Sequence, residues 1–399
     1  MTQPTTIPIL DLTRQYERFA SDYQQAAIDV LASGRYILGP NVTAFETEVA
    51  QFLGVKHAIG CANGTDALYL SMLALGIGAG DEVITTPFTY IATSESMLRA
   101  GATPVLVDVE YDTFNINVAA IEQAITPRTK AIAPVHLYGL PVDMAPLMAL
   151  AQKHNLLVLE DCAQAIGATY TGGSYTAQSV GTFGQLSGFS FFPTKNLGAF
   201  GDGGLMTTND DALAERVRML RVHGSRQCYI HELPGINSRL DEIQAALLRI
   251  KLPYLTQLNA RRQTIAARYT EAFKTRLADY CTPPHIPAGR THVFHQYTLK
   301  LHTTHAAQRD AVQAQLKAEH GVQSMIYYPI PQYEQPTHAH LGYTPERITQ
   351  EFPVCETLRR QVLSLPVFPE LSDDEVQRVI DAVCTVVPQQ VKAAEPACV

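Results

Sequence analysis

The first two-thirds of the chain alternates short apolar, β-branched runs with amphipathic segments. The apolar runs predict strands at 58–61, 82–85, 104–108, 131–136, 156–160, 186–192 and 205–208. The amphipathic segments predict helices at 67–75, 91–100, 118–125, 144–154 and 210–223, the last with Asn209 as its N-terminal cap. This alternation is typical of a mainly parallel sheet with helices on both faces, so the predicted fold class is α/β.

The last third of the chain has a different pattern. A long helical stretch at 239–274, broken near Pro253, is typical of a segment that bridges two domains. After it the pattern predicts a strand at 296–302 and helices at 304–320 and 373–387. We therefore predict a large domain at 1–250, a smaller C-terminal α/β domain at 251–387 and a flexible tail at 388–399.

Composition narrows the class of protein. Of 399 residues, 46% are hydrophobic and 17% are charged, as in ordinary globular enzymes, and the net charge of −8 argues against a nucleic-acid partner. The 7 cysteines form no Cys-x-x-Cys pair and the 13 histidines show no metal-ligand spacing, so we expect reduced thiols and no metal site. We see no signal peptide and no apolar run long enough to span a bilayer, and we expect a cytoplasmic protein.

The segment at 190–204 carries the most informative chemistry. Lys195 lies in a turn after an apolar run, five residues after Ser190 and just before a glycine-rich stretch. A lysine in a confined site is less readily charged and can react with a carbonyl, for example with an aldehyde cofactor such as pyridoxal 5′-phosphate. The alternative is a surface charge, which Phe191, Phe192 and Pro193 beside it disfavour.

Three earlier segments supply companion groups. Asn63-Gly-Thr-Asp66 joins a predicted strand to a predicted helix and is either a phosphate site or a plain N-cap provided by Thr65 or Asp66. Asp161 ends a predicted strand at the carboxyl edge of the sheet, where it can hold a pyridine nitrogen or be a solvated loop acid. Gln164 can donate to a ring oxygen.

Aromatic residues follow another predicted strand. The segment at 85–93 contains Phe88 and Tyr90 directly after the strand at 82–85. An aromatic ring there can stack on a flat cofactor or can belong to the core.

Together these motifs resemble the DegT-type nucleotide-sugar aminotransferases, which are fold-type I pyridoxal phosphate enzymes. The resemblance covers nearly the whole chain and includes the motifs at 34–40, 63–68, 80–84, 160–164, 190–195, 201–204 and 235–246. It implies a large, mostly parallel sheet domain and a smaller C-terminal domain. It implies that Lys195 binds the cofactor as a Schiff base and moves protons, that Asp161 pairs with the pyridinium nitrogen, that Gln164 lies near the ring hydroxyl and that Tyr90 stacks on the ring.

The resemblance also implies how the cofactor phosphate is held. Gly64, Thr65 and Asp66 match the phosphate-binding start of a helix, and Ser190 adds a hydroxyl group. Asn237 matches an asparagine that reaches the phosphate from the neighbouring subunit, which implies a homodimer with shared active sites. The expected reaction moves the amino group of L-glutamate onto a nucleotide-linked keto-sugar.

Within the family, the chain looks most like enzymes that aminate C3 of UDP-2-acetamido-2-deoxy-3-oxo-glucuronic acid. Arg239 suits a substrate carboxylate, although an ion pair with Asp241 is the alternative. Tyr327 and Tyr328 stand where related enzymes often have His-Tyr, and they are either substrate contacts or core aromatics. His231 is a further candidate for substrate contact or a surface residue. A 3- or 4-aminotransferase of a dTDP- or GDP-linked 6-deoxy keto-sugar, a sugar dehydratase and a non-catalytic regulator that binds pyridoxal phosphate remain alternatives.

Overall fold

The computed structural model describes residues 5–394. A seven-stranded sheet in the order β1-β9-β8-β5-β4-β2-β3 organises the larger part, and β9 is its antiparallel strand. The strands are β1 (His57–Cys61), β2 (Glu82–Thr85), β3 (Thr103–Leu106), β4 (Thr129–Ile132), β5 (Leu157–Asp161), β6 (Thr169–Gly172), β7 (Tyr175–Ser179), β8 (Leu186–Ser190), β9 (Gly204–Thr208), β10 (Ser225–Gln227), β11 (Ile230–His231), β12 (Cys281–Thr282), β13 (Tyr297–Leu301) and β14 (Val362–Leu365). The central strands are buried on both faces, which explains why they appear in the sequence as continuous apolar runs.

Helices cover the sheet and form most of the second part. They are α1 (Leu12–Arg18), α2 (Ala20–Ser33), α3 (Pro40–Leu53), α4 (Gly64–Ala74), α5 (Ala92–Ala100), α6 (Val118–Ile121), α7 (Met144–Lys153), α8 (Asp211–Leu220), α9 (Glu242–Lys251), α10 (Leu255–Arg276), α11 (Arg309–His320), α12 (Pro345–Glu351), α13 (Pro353–Gln361) and α14 (Asp373–Ala394). No helix of the described residues is long and apolar enough to cross a membrane.

A second core surrounds the three-stranded sheet β12-β13-β14. Side chains of α10, α11 and α14 pack on it, and Ile7 joins the same core by pairing with Val322. The break predicted near Pro253 is observed as a single 3-10 turn between α9 and α10. The seven-stranded and three-stranded sheets, each packed with helices, agree with the predicted α/β fold class, while the domain limits at residue 250 stay a prediction.

Two predicted details are wrong. Asp210, not Asn209, caps α8, because its carboxylate accepts the amides of Ala212 at 2.8 Å and Leu213 at 3.0 Å. The tail does not begin at 388, because α14 continues through Pro388 to Ala394. Val391 is buried one turn after the buried Val387, so the apolar face of α14 continues past the proline. Residues 395–399 of the predicted tail lie outside the described part of the chain.

The sequence patterns missed several elements. They did not indicate helices α1 to α3, the β6–β7 hairpin, the short helices α12 and α13, or the strand β14. Most of these elements are short or lie near the surface, where the apolar period is weak.

Candidate active site

A cavity of about 710 Å³ opens at the carboxyl edge of β5 and β8. This is the edge at which open α/β sheets bind ligands. Ten of the residues singled out in the sequence line it: Gly64, Thr65, Asp66, Tyr90, Asp161, Gln164, Ser190, Lys195, Tyr327 and Tyr328. Asn237, Arg239 and His231 do not line it.

Lys195 lies in the turn that follows β8. Its amide donates to the carbonyl of Phe192 at 2.8 Å, which closes the turn. The turn is tight, since a Cβ at Gly198 would lie 2.2 Å from the carbonyl oxygen of Pro193. Burial lowers the pKa of Lys195 to about 8, although the nearby carboxylate of Asp161 acts to raise it. The amine is therefore uncharged far more often near neutral pH than an ordinary lysine, and that fraction can act as a nucleophile or base.

Asp161 is the last residue of β5 and is 5% exposed. The hydroxyl of Thr93 donates to Oδ2 at 2.8 Å and the amide of Ala163 donates to Oδ1 at 3.1 Å. Burial raises the pKa of Asp161, while these two hydrogen bonds and the Lys195 ammonium favour its ionised form. The carboxylate is thus held in one orientation inside the cavity.

The N-terminus of α4 forms one wall of the cavity. Asn63 caps the helix, because its Oδ1 accepts the amide of Asp66 at 2.8 Å; the N-cap is therefore neither Thr65 nor Asp66. A Cβ at Gly64 would lie 2.7 Å from Cβ of Ser190, so only glycine lets the helix start approach the end of β8 this closely. The first-turn amides and the Ser190 hydroxyl are brought together as a cradle suited to an anion.

Asp66 forms an ion pair that was not predicted. Nη1 of Arg99 lies 2.8 Å from its Oδ1, and the Arg99 guanidinium stacks 4.2 Å from the ring centre of Tyr69. Both charged side chains line the cavity. Pairing with Arg99 removes the repulsion that an isolated carboxylate at this helix start would exert on a phosphate.

Gln164 connects two tyrosines at the back of the cavity. Its Oε1 accepts the amide of Tyr138 at 2.7 Å, and its Nε2 donates to the hydroxyl of Tyr328 at 2.7 Å. Tyr328 has a left-handed backbone (φ 58°) and stacks on Tyr138 with 6.1 Å between ring centres. Such strain persists only where the surroundings hold it in place, so the direction of the Tyr328 hydroxyl is fixed.

Asn237 and Arg239 line a separate surface recess of about 480 Å³. Asp202 borders both this recess and the main cavity. Arg239 takes part in none of the ion pairs seen within residues 5–394, which leaves the alternative of a pair with Asp241 without support. His231 lies on the exposed β10–β11 hairpin, where its Nδ1 is 2.9 Å from the carbonyl oxygen of His223.

The residues that line the cavity and were not named as site residues from the sequence include Thr93, Arg99, Thr194, His295 and Gln296. Thr93 and Thr194 lie inside or next to the motifs already quoted, so their position was a usable signal. Arg99, His295 and Gln296 come from segments with no motif, and only the fold brings them to the cavity.

A buried cluster next to Asp161 is structural. Potential ligand atoms of His136, Glu160 and Cys162 lie within 4.8 Å of one another. However, Nδ1 of His136 accepts the amide of Val142, and its Nε2 lies 3.1 Å from Oε2 of Glu160. Glu160 also accepts the amides of the turn at 181–184. Both imidazole nitrogens are engaged, so this cluster has no free histidine lone pair for a metal.

Comparison with known proteins identifies the relatives of this chain. A sequence model of the DegT/DnrJ/EryC1/StrS aminotransferase family matches residues 18–384. The chain is 49% identical to the UDP-N-acetyl-3-dehydro-alpha-D-glucosamine 3-aminotransferase of Acidithiobacillus ferrooxidans, over 95% of this chain and 97% of that protein. It is 42% identical to the UDP-2-acetamido-2-deoxy-3-oxo-D-glucuronate aminotransferase of Pseudomonas aeruginosa, over 94% and 99%. It is 47% identical to the pleiotropic regulatory protein of Geobacillus stearothermophilus, over 94% and 97%.

The fold comparison agrees. The crystal structure of DesV from S. venezuelae in complex with a ketimine intermediate superimposes with a TM-score of 0.89 and 43% sequence identity, covering 96% of this chain and 98% of that one. The predictions of the family, the fold class and a pyridoxal phosphate-dependent aminotransferase are confirmed.

Proposed function

Because the chain belongs to the DegT/DnrJ/EryC1/StrS aminotransferase family, we propose that it transfers the amino group of L-glutamate to C3 of UDP-2-acetamido-2-deoxy-3-oxo-glucuronic acid. The product is a 3-amino sugar for surface polysaccharide, such as the O-antigen of lipopolysaccharide, made in the cytoplasm. The observation that carries the proposal is that Lys195, Asp161 and the N-terminus of α4 converge in one cavity.

The residues of the cavity fit pyridoxal phosphate. The Gly64–Ser190 approach and the start of α4 form a cradle for its phosphate, and Asp161 is placed to hold its ring nitrogen protonated. Tyr90, which is 63% exposed at the cavity wall, offers a ring face to it. When bound, the cofactor supplies an electron sink that makes the amino acid's α-proton acidic.

Lys195 performs the proton transfers. With a pKa of about 8 it is suited to take a proton from the donor amino acid in the first half-reaction and to deliver a proton to the sugar carbon in the second, a role worth about 10²–10⁴-fold in rate. The hydrogen bond from Thr93 favours the ionised form of Asp161, which would hold the ring nitrogen, and Gln164, whose Nε2 donates to the Tyr328 hydroxyl, would hold the ring hydroxyl. Tyr327 and Tyr328 line the part of the cavity where the sugar is expected.

The charges of the cavity point to a homodimer with shared sites. Its lining carries three carboxylates against two cations, namely Asp66, Asp161 and Asp202 against Arg99 and Lys195. A cofactor phosphate and a nucleotide diphosphate add further negative charge, so additional cations have to come from outside this cavity.

A second copy of the chain can provide them. The recess with Asn237 and Arg239 is bordered by the segment at 34–40, since Ile37 pairs with Asp241. Tyr36 is 51% exposed and Ile37 is 48% exposed, and an apolar face of this kind is typical of a subunit interface. We propose that Asn237 reaches the phosphate, and that Arg239 and His231 reach the sugar, from the partner subunit.

Two of the relatives support a UDP-linked 3-keto sugar with a 2-acetamido group. By its name, the relative from A. ferrooxidans acts on a sugar without the C6 carboxylate, and the relative from P. aeruginosa acts on the uronic acid. Arg239 makes no ion pair among the described residues and offers a planar fork to a carboxylate, which favours the uronic acid. The identity of 49% with the first relative makes UDP-2-acetamido-3-oxo-glucose the second candidate.

The test is an absorption spectrum of the purified protein. L-Glutamate should bleach the visible band of bound pyridoxal phosphate, and the UDP-3-keto-uronic acid should restore it. Restoration only by the neutral UDP-3-keto sugar would support the second candidate, and restoration only by dTDP- or GDP-linked 6-deoxy keto-sugars would overturn both. A protein that takes up no pyridoxal phosphate would contradict the enzyme assignment.

A further inference from the structure

A second, small cavity of about 80 Å³ adjoins the main one behind the lysine turn. The two share Thr194, His295, Gln296 and Tyr327 in their linings. The remaining walls of the small cavity come from the N-terminal segment and from the second core: Ile9, Leu10, Arg262, Leu365 and Val367. Thr194 directly precedes Lys195, so this cavity adjoins the place where the amino group has to be delivered.

The small cavity is lined by a buried cation, Arg262, that forms no ion pair within residues 5–394, although the buried and unpartnered carboxylate oxygens of Glu370 lie in its neighbourhood. Arg262 is 3% exposed, and its Nη1 donates to the carbonyls of Phe294, at 3.1 Å, and Val367. No hydrogen bond from its other two nitrogens is seen within residues 5–394. Glu370 is near enough to stabilise the guanidinium but forms no ion pair with it in this part of the chain. A buried cation of this kind is costly unless an anion joins it.

Neighbouring polar atoms are also left without partners. Oε1 of Gln296, a residue only 8% exposed, and Nδ1 of His295 make no hydrogen bond in the described chain. Burial, together with the cations Lys195 and Arg262, lowers the pKa of His295 well below its usual value, so the ring stays neutral and has one N–H to donate. The unpartnered Oε1 of Gln296 requires a donor such as water, whereas the amide N–H groups of Gln296 and the N–H of His295 can donate to a carboxylate.

We propose that Arg262, His295 and Gln296 form a subsite that binds a carboxylate of the amino-donor amino acid. The inference rests on the proposed aminotransferase function and adds to it a site for the donor. A volume of about 80 Å³ admits a carboxylate but not a diphosphate or a sugar ring. The half-buried side chains of Ile9 and Leu10 cover the pocket and keep bulk water from competing.

The subsite separates two carboxylate contacts. Arg262 recognises the donor from within the protomer, while Arg239 is proposed to recognise the sugar from the partner subunit.

The decisive variant enlarges a side chain that lines the small cavity but does not line the main cavity. Leu10→Phe adds volume in the small cavity and changes no residue of the main one, while Leu10→Met conserves volume and is the matched control. Glutarate, an unreactive dicarboxylate, is the probe, and its binding to the holoenzyme is measured by calorimetry. We expect Leu10→Phe to weaken glutarate binding about 10-fold or more and Leu10→Met to leave it within about 2-fold.

Two further variants guard against a folding defect. Arg262→Lys keeps the charge but loses the planar fork, and it should weaken glutarate binding about 10-fold. Arg221→Lys makes the same exchange at another buried arginine, which pairs with Glu46 outside the small cavity, and should not change binding. Melting temperatures of all variants establish that each is folded.

The half-reactions provide the second readout. In Leu10→Phe, the L-glutamate concentration that bleaches the visible cofactor band half-maximally should rise about 10-fold. The rate at which the amino group passes from the cofactor to the keto-sugar should not change. The subsite would be overturned if the wild type did not bind glutarate, or if folded Leu10→Phe bound it as tightly as the wild type. The small cavity would then hold only water. If the donor half-reaction behaves as expected but no keto-sugar reacts, the proposed acceptor fails and the subsite stands.

Discussion

The two recesses that meet at Asp202 differ in almost every respect. The main cavity lies at the end of buried strands, and hydrogen bonds from Thr93 and Ala163 fix its carboxylate at Asp161. The recess around Asn237 and Arg239 is smaller, about 480 Å³, and Asp202, Asn237 and Asp241 in its lining are exposed to solvent. The first recess has the properties of a site prepared for chemistry, and the second those of a surface that a ligand or another subunit completes.

The difference fits the proposal that each protomer supplies part of two shared sites. The groups that react need a low dielectric environment and fixed geometry, which the sheet edge of one protomer supplies. The groups that recognise an anionic substrate need only to arrive at the mouth of the cavity, and a symmetric interface can bring them there. Variants in the two recesses should therefore fail in different ways.

The largest effect is expected at Lys195. Lys195→Ala removes the base and should lower turnover by about 10³-fold or more, because no other lysine lines the cavity of the described chain. The variant should still bind pyridoxal phosphate through the α4 cradle, which dialysis followed by absorbance measures. Lys251→Met, which loses a buried lysine elsewhere, is the matched control and should keep its activity.

The second largest effect is expected at Asp161. Asp161→Asn keeps a similar shape and the hydrogen bond from Thr93 but loses the negative charge, so we expect about a 100-fold loss in kcat. The absorbance of the bound cofactor should shift at the same time, because the ring nitrogen is no longer held protonated. A variant with normal kcat and spectrum would remove Asp161 from its assigned role.

A smaller and more selective effect is expected in the open recess. Arg239→Met should lower kcat/KM for the UDP-3-keto-uronic acid about 10- to 100-fold, because one charge-assisted pair is lost. The rate of the L-glutamate half-reaction should not change. Equal losses with the neutral UDP-3-keto sugar would show that Arg239 does not bind the C6 carboxylate.

The smallest effect concerns Thr93, which acts through Asp161. Its hydrogen bond stabilises the ionised carboxylate, so Thr93→Val should raise the pKa of Asp161 and move the acidic limb of the pH–rate profile to higher pH. Near neutral pH the loss in rate should be about 3- to 10-fold. Thr89→Val removes a hydroxyl 3.4 Å from that of Thr93 and makes no contact with Asp161, so its profile should not move.

Much of the sheet could be predicted from the sequence. The strand β2 was predicted with its observed bounds, and β1, β5, β8 and β9 were predicted within two residues at each end. Strand β4 ends earlier than predicted, at Ile132, since Pro134 has no amide to continue the ladder. The helix α14 extends beyond its predicted end because the packing of Val391 outweighs the break expected at Pro388.

The cavity was only partly predictable. Lys195 and Asp161 stand in motifs that a reader of the sequence can recognise, whereas Arg262 and Gln296 reach the site from segments that look like ordinary helix and strand. Their importance comes from burial and missing partners, which are properties of the folded chain. Arg239 had a recognisable motif, but a single chain does not bring it to the cavity.

The most direct test of the account mixes two inactive variants. Dimers of Lys195→Ala lack the base, and dimers of an Asn237→Ala/Arg239→Ala double variant lack the partner's contacts. If the sites are shared, a mixed dimer carries one intact site, and an equal mixture refolded together should recover about a quarter of the wild-type activity. No recovery, with mixed dimers demonstrated by mass spectrometry, would contradict the account and place all the working residues of each site in one protomer.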